Sequence, residues 1–142
     1  MSTYIVSNIG SEIAPVAGLP ALANSAGTRT GAAIDRLQSG ALAGSCVLAA
    51  NVGATTGAPS ATTYDVKIQD SADGSTNWLD ISGAAITQKT SLTAALVQRD
   101  VDLSVARRFI RVVEVVAFTG GTTPATPAAI DVILGGFDRV PV

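Results

Sequence analysis

The stretch Thr63-Tyr64-Asp65-Val66-Lys67-Ile68-Gln69-Asp70 sets Tyr64, Val66 and Ile68 on one side of an extended chain and Asp65, Lys67 and Gln69 on the other. A period of two marks a strand with one buried face, because successive side chains of a β-strand point to opposite faces of the sheet. The stretch runs into Ser71-Ala72-Asp73-Gly74, where Asp supplies turn chemistry and Gly tolerates a positive φ, and then into Asn77-Trp78-Leu79-Asp80-Ile81. This predicts a β-hairpin with a loop a few residues long. Trp78, the only Trp in the chain, is expected to anchor the core beside the hairpin, since an indole buries more apolar area than any other side chain.

Outward from the hairpin the same grammar repeats. Towards the N-terminus, Ala32 to Leu37 and Ser45 to Val52 read as strands parted by a turn at Ser39-Gly40. Towards the C-terminus, Val97, Arg99, Val101 and Leu103 alternate with Gln98, Asp100 and Asp102. Residues 107–118 follow, RRFIRVVEVVAF, whose β-branched content and lack of a helical stripe favour a strand. That strand is apolar on both faces, with Val113 and Val115 on one and Val112 and Val116 on the other, so it is either central and covered twice or meets a partner on one side. The run from Thr119 to Pro127 has two Gly and two Pro and reads as a loop. A last strand, Ala128 to Leu134, is expected to end at Gly135-Gly136, before the tail from Phe137 to Val142. About seven or eight short strands with no convincing helix define an all-β chain, a single jelly-roll-like β-sandwich over residues 28–142.

Residues 1–27 are rich in Ala, Gly, Ser and Pro, with irregularly spaced apolar residues, and read as an extended arm or an edge segment. If the arm lies across a neighbouring subunit, its partner-binding residues are Ile5, Ile9, Ile13, Val16, Leu19 and Leu22, with Arg108 and Phe137 as further contacts. An ordinary first strand plus loop is the alternative.

Composition narrows the function. A chain of 142 residues can bury roughly 68–70% of its unfolded surface, enough for one core without metals or disulfides. Only 14% of residues are charged, against 47% hydrophobic, so part of the surface is expected to be covered by copies of the chain or by a partner. Net charge is −2 and Lys occurs only at 67 and 89, which disfavours nucleic acid. The N-terminus lacks the layout of a secretory signal, and no apolar run approaches the length of a membrane span, so a soluble protein with no membrane contact is expected.

The chain has no His, which removes His-based triads, His-ligated metals and imidazole acid–base chemistry. Cys46, in SCVLAA, reads as a small buried hydrophobe and has no His partner to activate it. Asp70, Asp73 and Asp80 are the one set of clustered carboxylates, and at a hairpin they are better read as caps of backbone amides than as catalysts. Their spacing lacks the alternation of an EF-hand loop. Arg107, Arg108 and Arg111 divide between the two faces of their strand, and pairing with Asp100, Asp102 or Glu114 accounts for them. Gly120-Gly121 lacks the context of a phosphate cradle. No enzyme activity and no cofactor are expected.

Three stretches, TTYDVKIQDSADGSTNWLDI (62–81), DVDLSVARRFIRVVEVVAFTGGTTPA (100–125) and AAIDVILGG (128–136), resemble small β-sandwich structural proteins of tailed-bacteriophage virions. The resemblance implies a capsid decoration or cement protein: soluble before assembly, then seated on the capsid surface, with the major capsid protein as partner and self-association into a homo-oligomer. It carries over no catalytic residues. Ser71, Asp73, Gly74 and Trp78, followed by Ala106 to Arg111, are also similar to discoidin-type galactose-binding domains, which implies a carbohydrate-binding or adhesive module on a spike or tail as the alternative. This chain departs from that pattern with three residues between Gly74 and Trp78, few aromatics and no paired cysteines.

Overall fold

The computed structural model describes residues 9–137. A single 3-10 turn, Ile9–Ser11, precedes ten strands: β1 (Ala14–Asn24), β2 (Gly27–Thr30), β3 (Ile34–Asp35), β4 (Leu37–Gln38), β5 (Ala41–Val52), β6 (Ala61–Ser71), β7 (Leu79–Ala85), β8 (Ala95–Asp102), β9 (Phe109–Thr119) and β10 (Thr126–Phe137). They form two antiparallel sheets packed as a β-sandwich. The first sheet runs β1-β10-β5-β8, with β4 also pairing on β5; the second runs β2-β9-β6-β7, with β3 pairing on β9 beyond β2.

The deciding hairpin is present, with Gln69 opposite Asp80 and Asp70 opposite Leu79 across β6 and β7. Along β6 the alternation resolves as read, Tyr64, Val66 and Ile68 facing the other sheet and fully buried. Two short strands, β3 and β4, divide the segment expected as one. The last strand does not stop at Gly135: β10 continues through Gly136 to Phe137, opposite Ala43. There the in–out alternation slips on both strands, at Gly44-Ser45 and at Gly135-Gly136, so that Ala43 and Cys46 are both buried and Phe137 packs on the core. Gly136 has φ +59, a conformation that glycine adopts without strain.

The largest fully buried side chains are Tyr64, Leu48, Ile68, Leu103, Ile110, Ile130 and Leu134. Trp78 is not among them. It sits half-exposed just before β7, its ring under the Arg111 guanidinium at 4.4 Å. Tyr64 is the aromatic anchor. Where β1 meets the second sheet, a Cβ at Gly31 would lie 2.1 Å from the Gly18 carbonyl oxygen, so two glycines let the sheet edges touch.

One end of the sandwich is closed by Arg36, which is only 3% exposed. Its guanidinium donates to the carbonyls of Ala43 (2.6 and 3.1 Å), Leu103 (2.7 Å), Ala106 (2.5 Å) and Arg107 (3.1 Å). Those oxygens belong to β5 and to the β8–β9 connection, where the chain crosses between sheets and leaves carbonyls without ladder partners. Burial pushes the Arg36 pKa down from its ordinary value, offset in part by the charge of Asp70.

Candidate functional site

The chemistry-bearing side chains are largely committed to one another. Asp73 accepts from the backbone N–H groups of Ser75 and Thr76 (2.9 Å each) and from the Thr76 hydroxyl (2.7 Å), the cap anticipated for this turn. These bonds hold its carboxyl well below the usual carboxylate range. Asp80 pairs with Lys67 and Gln69 on β6. Asp70 caps no turn amide, contrary to expectation; it accepts from the backbone N–H and guanidinium of Arg107. Among the described residues no group of three or more His, Cys, Asp or Glu is placed to hold a metal ion.

Ion pairing also accounts for Arg107 and Arg108, but with other partners than those expected. Arg107 takes Asp70, and Arg108 takes Asp35 (2.7 Å) while lying over the Phe109 ring at 5.1 Å. Arg111 lies on Trp78 and donates to Gln69 (2.8 Å). Glu114 is bound by its cross-strand neighbour Arg29 on β2 (3.1 Å) and also accepts from the Tyr64 hydroxyl. It is fully buried, so the strand read as apolar on its inward face carries a carboxylate there. Burial, reinforced by the adjacent Glu114 carboxylate, pushes the Tyr64 phenol pKa far above its ordinary value.

The two outward faces differ sharply. On the second sheet, Lys67, Gln69, Asp80 and Arg111 form a connected polar surface, and Gln88 donates to Asp65. β9 is central there, between β2/β3 and β6; its outward Val113 is buried at 7% exposure, whereas Val115 is open at 38%.

On the first sheet, register sets Pro15, Ile133, Val47 and Asp100 in one row and Ala17, Asp131, Ala49 and Gln98 in the next. Ala129, Asn51 and Leu96 make a third. The cross-strand pair Leu37 and Leu42 extends the surface at one end, and both are exposed, as is Leu96 at the other end. Among the described residues this face carries no Lys or Arg, and Asp100 and Asp131 have no ion pair. An open groove of about 630 Å3 crosses its rim, lined by Ile13, Val47, Ile133, Asp100, Asp102 and Ser45 among others. The backbone of Cys46 borders this groove's strand, but its side chain points inward, and burial pushes the thiol pKa up to about 12.

The contact residues expected from the sequence are not brought together. Ile5 lies outside the described residues. Leu19 is a core side chain, and Val16 and Phe137 pack against that core, because β1 and β10 turn those positions inward. Segment 14–24 is the edge strand β1, paired along β10 of the same chain. Arg108 is engaged with Asp35. Ile9 and Leu22 are exposed, and only Ile13 borders the face just described. Sequence reading missed that face because most outward positions of β5 and β10, Val47, Ala49, Ala129 and Ile133 among them, are as apolar as the inward ones, so the alternation is obscured. Glu114 went unread as a core residue because a carboxylate inside a valine-rich run gives no sign of which way it points.

No protein-family model and no curated protein matches this sequence. Among solved structures, the chain is similar to the N-terminal endo-1,4-β-D-xylanase 10B of Clostridium thermocellum, solved as CBM22-1 and GH10 modules with xylohexaose. The TM-score is 0.41 at 9% identity, covering 87% of this chain and 26% of that one. This chain thus spans about a quarter of that protein, and a likeness at this level carries no argument about function.

Proposed function

We propose that this protein is a non-catalytic virion structural protein, a capsid decoration or cement protein that seats on the major capsid protein lattice and stabilises the shell. The observation that carries the reading is the outward face of the first sheet, where Val47, Ala49 and Ile133 are half-buried and Leu37, Leu42 and Leu96 exposed, on a chain with few charges. Surfaces of this kind mark association sites. At about 25 cal/mol per Å2, burying ~300 Å2 of apolar area contributes roughly 7 kcal/mol before the costs of association. Repetition over a lattice multiplies such a contact. The commitment of the hairpin carboxylates to caps and ion pairs supports the non-catalytic part. The carbohydrate-binding alternative has less support, because sugars stack on free aromatic faces and Arg111 already covers a face of Trp78.

The test images shells assembled with and without the protein by electron cryo-microscopy and follows their heat stability. Added density on the shell surface and a higher disruption temperature are expected. Unchanged density and unchanged heat stability would sink the reading.

A further inference from the structure

We infer that the outward face of the first sheet docks onto a different protein, not a second copy, and that the docking surface of this partner sets Lys or Arg side chains around an aliphatic patch. The inference rests on the capsid reading and names which face makes the contact and what the lattice must present to it.

Two observations select the occupant. Every Lys and Arg among the described residues is already engaged within the chain. Arg29, Arg107, Arg108 and Lys67 hold carboxylates; Arg36, Arg99 and Lys89 donate to carbonyls; and Arg111 lies on Gln69 and Trp78. Among the described residues, two carboxylates of the face itself have no ion pair: Asp131 stands in the row between Ala17 and Ala49, and Asp100 opposite Val47. Two copies packed through this face would bring those carboxylates together with no cation among the described residues left unengaged to offset them. A partner that supplies cations meets both needs, apolar contact for Val47, Ala49 and Ile133 and pairing for the two aspartates.

Three variants test this: Ala49→Arg and Asp131→Lys on the face, and Thr63→Arg on the outward face of the second sheet as control. Each is purified, checked for an unchanged melting curve, and cosedimented with empty shells assembled from a tailed-bacteriophage major capsid protein. Wild type and Thr63→Arg should bind alike, binding should weaken about ten-fold as salt rises from ~50 to ~500 mM, and both face variants should bind at least ten-fold more weakly. Asp131→Lys, at an exposed position, keeps the test intact if Ala49→Arg misfolds. If wild type binds and the face variants bind equally well, the face assignment is overturned and the capsid reading stands. If wild type fails to bind shells, both fall. If light scattering shows a wild-type dimer that Asp131→Lys abolishes, the occupant is a second copy and the inference is wrong.

Discussion

Asp70 and Arg107 join the end of the central hairpin to the entrance of β9 through both backbone and side chain. The Arg107 backbone N–H donates to Oδ2 at 2.8 Å, and its Nε and Nη2 donate to Oδ1 at 2.9 and 2.6 Å. Nη2 also reaches the Asn77 carbonyl at 2.8 Å, so one guanidinium holds both ends of the hairpin loop.

Burial raises the Asp70 pKa, but the hydrogen bonds and charge of Arg107 outweigh it, and the carboxyl ends below its ordinary value. A carboxyl depressed in the folded state stabilises fully above its unfolded pKa, and that contribution is lost as pH falls through the folded value. Asp70→Asn should therefore cost about 1–2 kcal/mol at pH 7. In urea titrations the gap from wild type should narrow below about pH 4; a gap that stays constant into acid would refute the pairing.

Arg36 should be the most sensitive charged position in the fold. Arg36→Met removes the donors to four buried or half-buried carbonyls and should cost about 3–5 kcal/mol. Arg36→Lys should recover little, because an ammonium has no planar fork to serve carbonyls on two sides. Denaturant midpoints of the two variants decide the matter, and a lysine variant close to wild type would show that charge alone suffices.

The Tyr64 and Glu114 contact should appear as coupling in a double-mutant cycle. Tyr64→Phe leaves the Glu114 carboxylate one donor short and should cost about 1–3 kcal/mol. Made together with Glu114→Gln, the two losses should sum to less than their separate total by about 1 kcal/mol or more. Strict additivity would mean that the phenol and carboxylate do not interact in solution.

Cys46 should be silent to thiol reagents while the protein is folded. With its thiol pushed up to about 12 by burial, almost no thiolate exists at pH 8, and the side chain is 4% exposed. An aromatic disulfide reagent should release its chromophore only after denaturant is added. Reaction at the rate of a free thiol in the native protein would contradict the inward placement.

Much of this architecture is legible in the chain before any coordinates. Period-two alternation in 63–69 and the Asp-Gly turn after it define the hairpin, since one buried face and one tight turn demand those residues locally. The absence of His is likewise a property of composition, independent of how the chain folds. What tertiary structure alone decides is which side of an unalternating strand faces in. β5 and β10 present apolar residues on both faces, and only their packing against β6 and β9 turns Leu48 and Ile130 inward and leaves Ala49, Val47 and Ile133 outside. The same holds for the charged residues. Arg36 is buried, Glu114 lies in the core and Trp78 is half-exposed because their partners come from segments distant in sequence, Leu103, Arg29 and Arg111 respectively. Alternation is a local constraint of the extended backbone, whereas burial depends on which distant strand arrives opposite, and no short window of sequence contains that information.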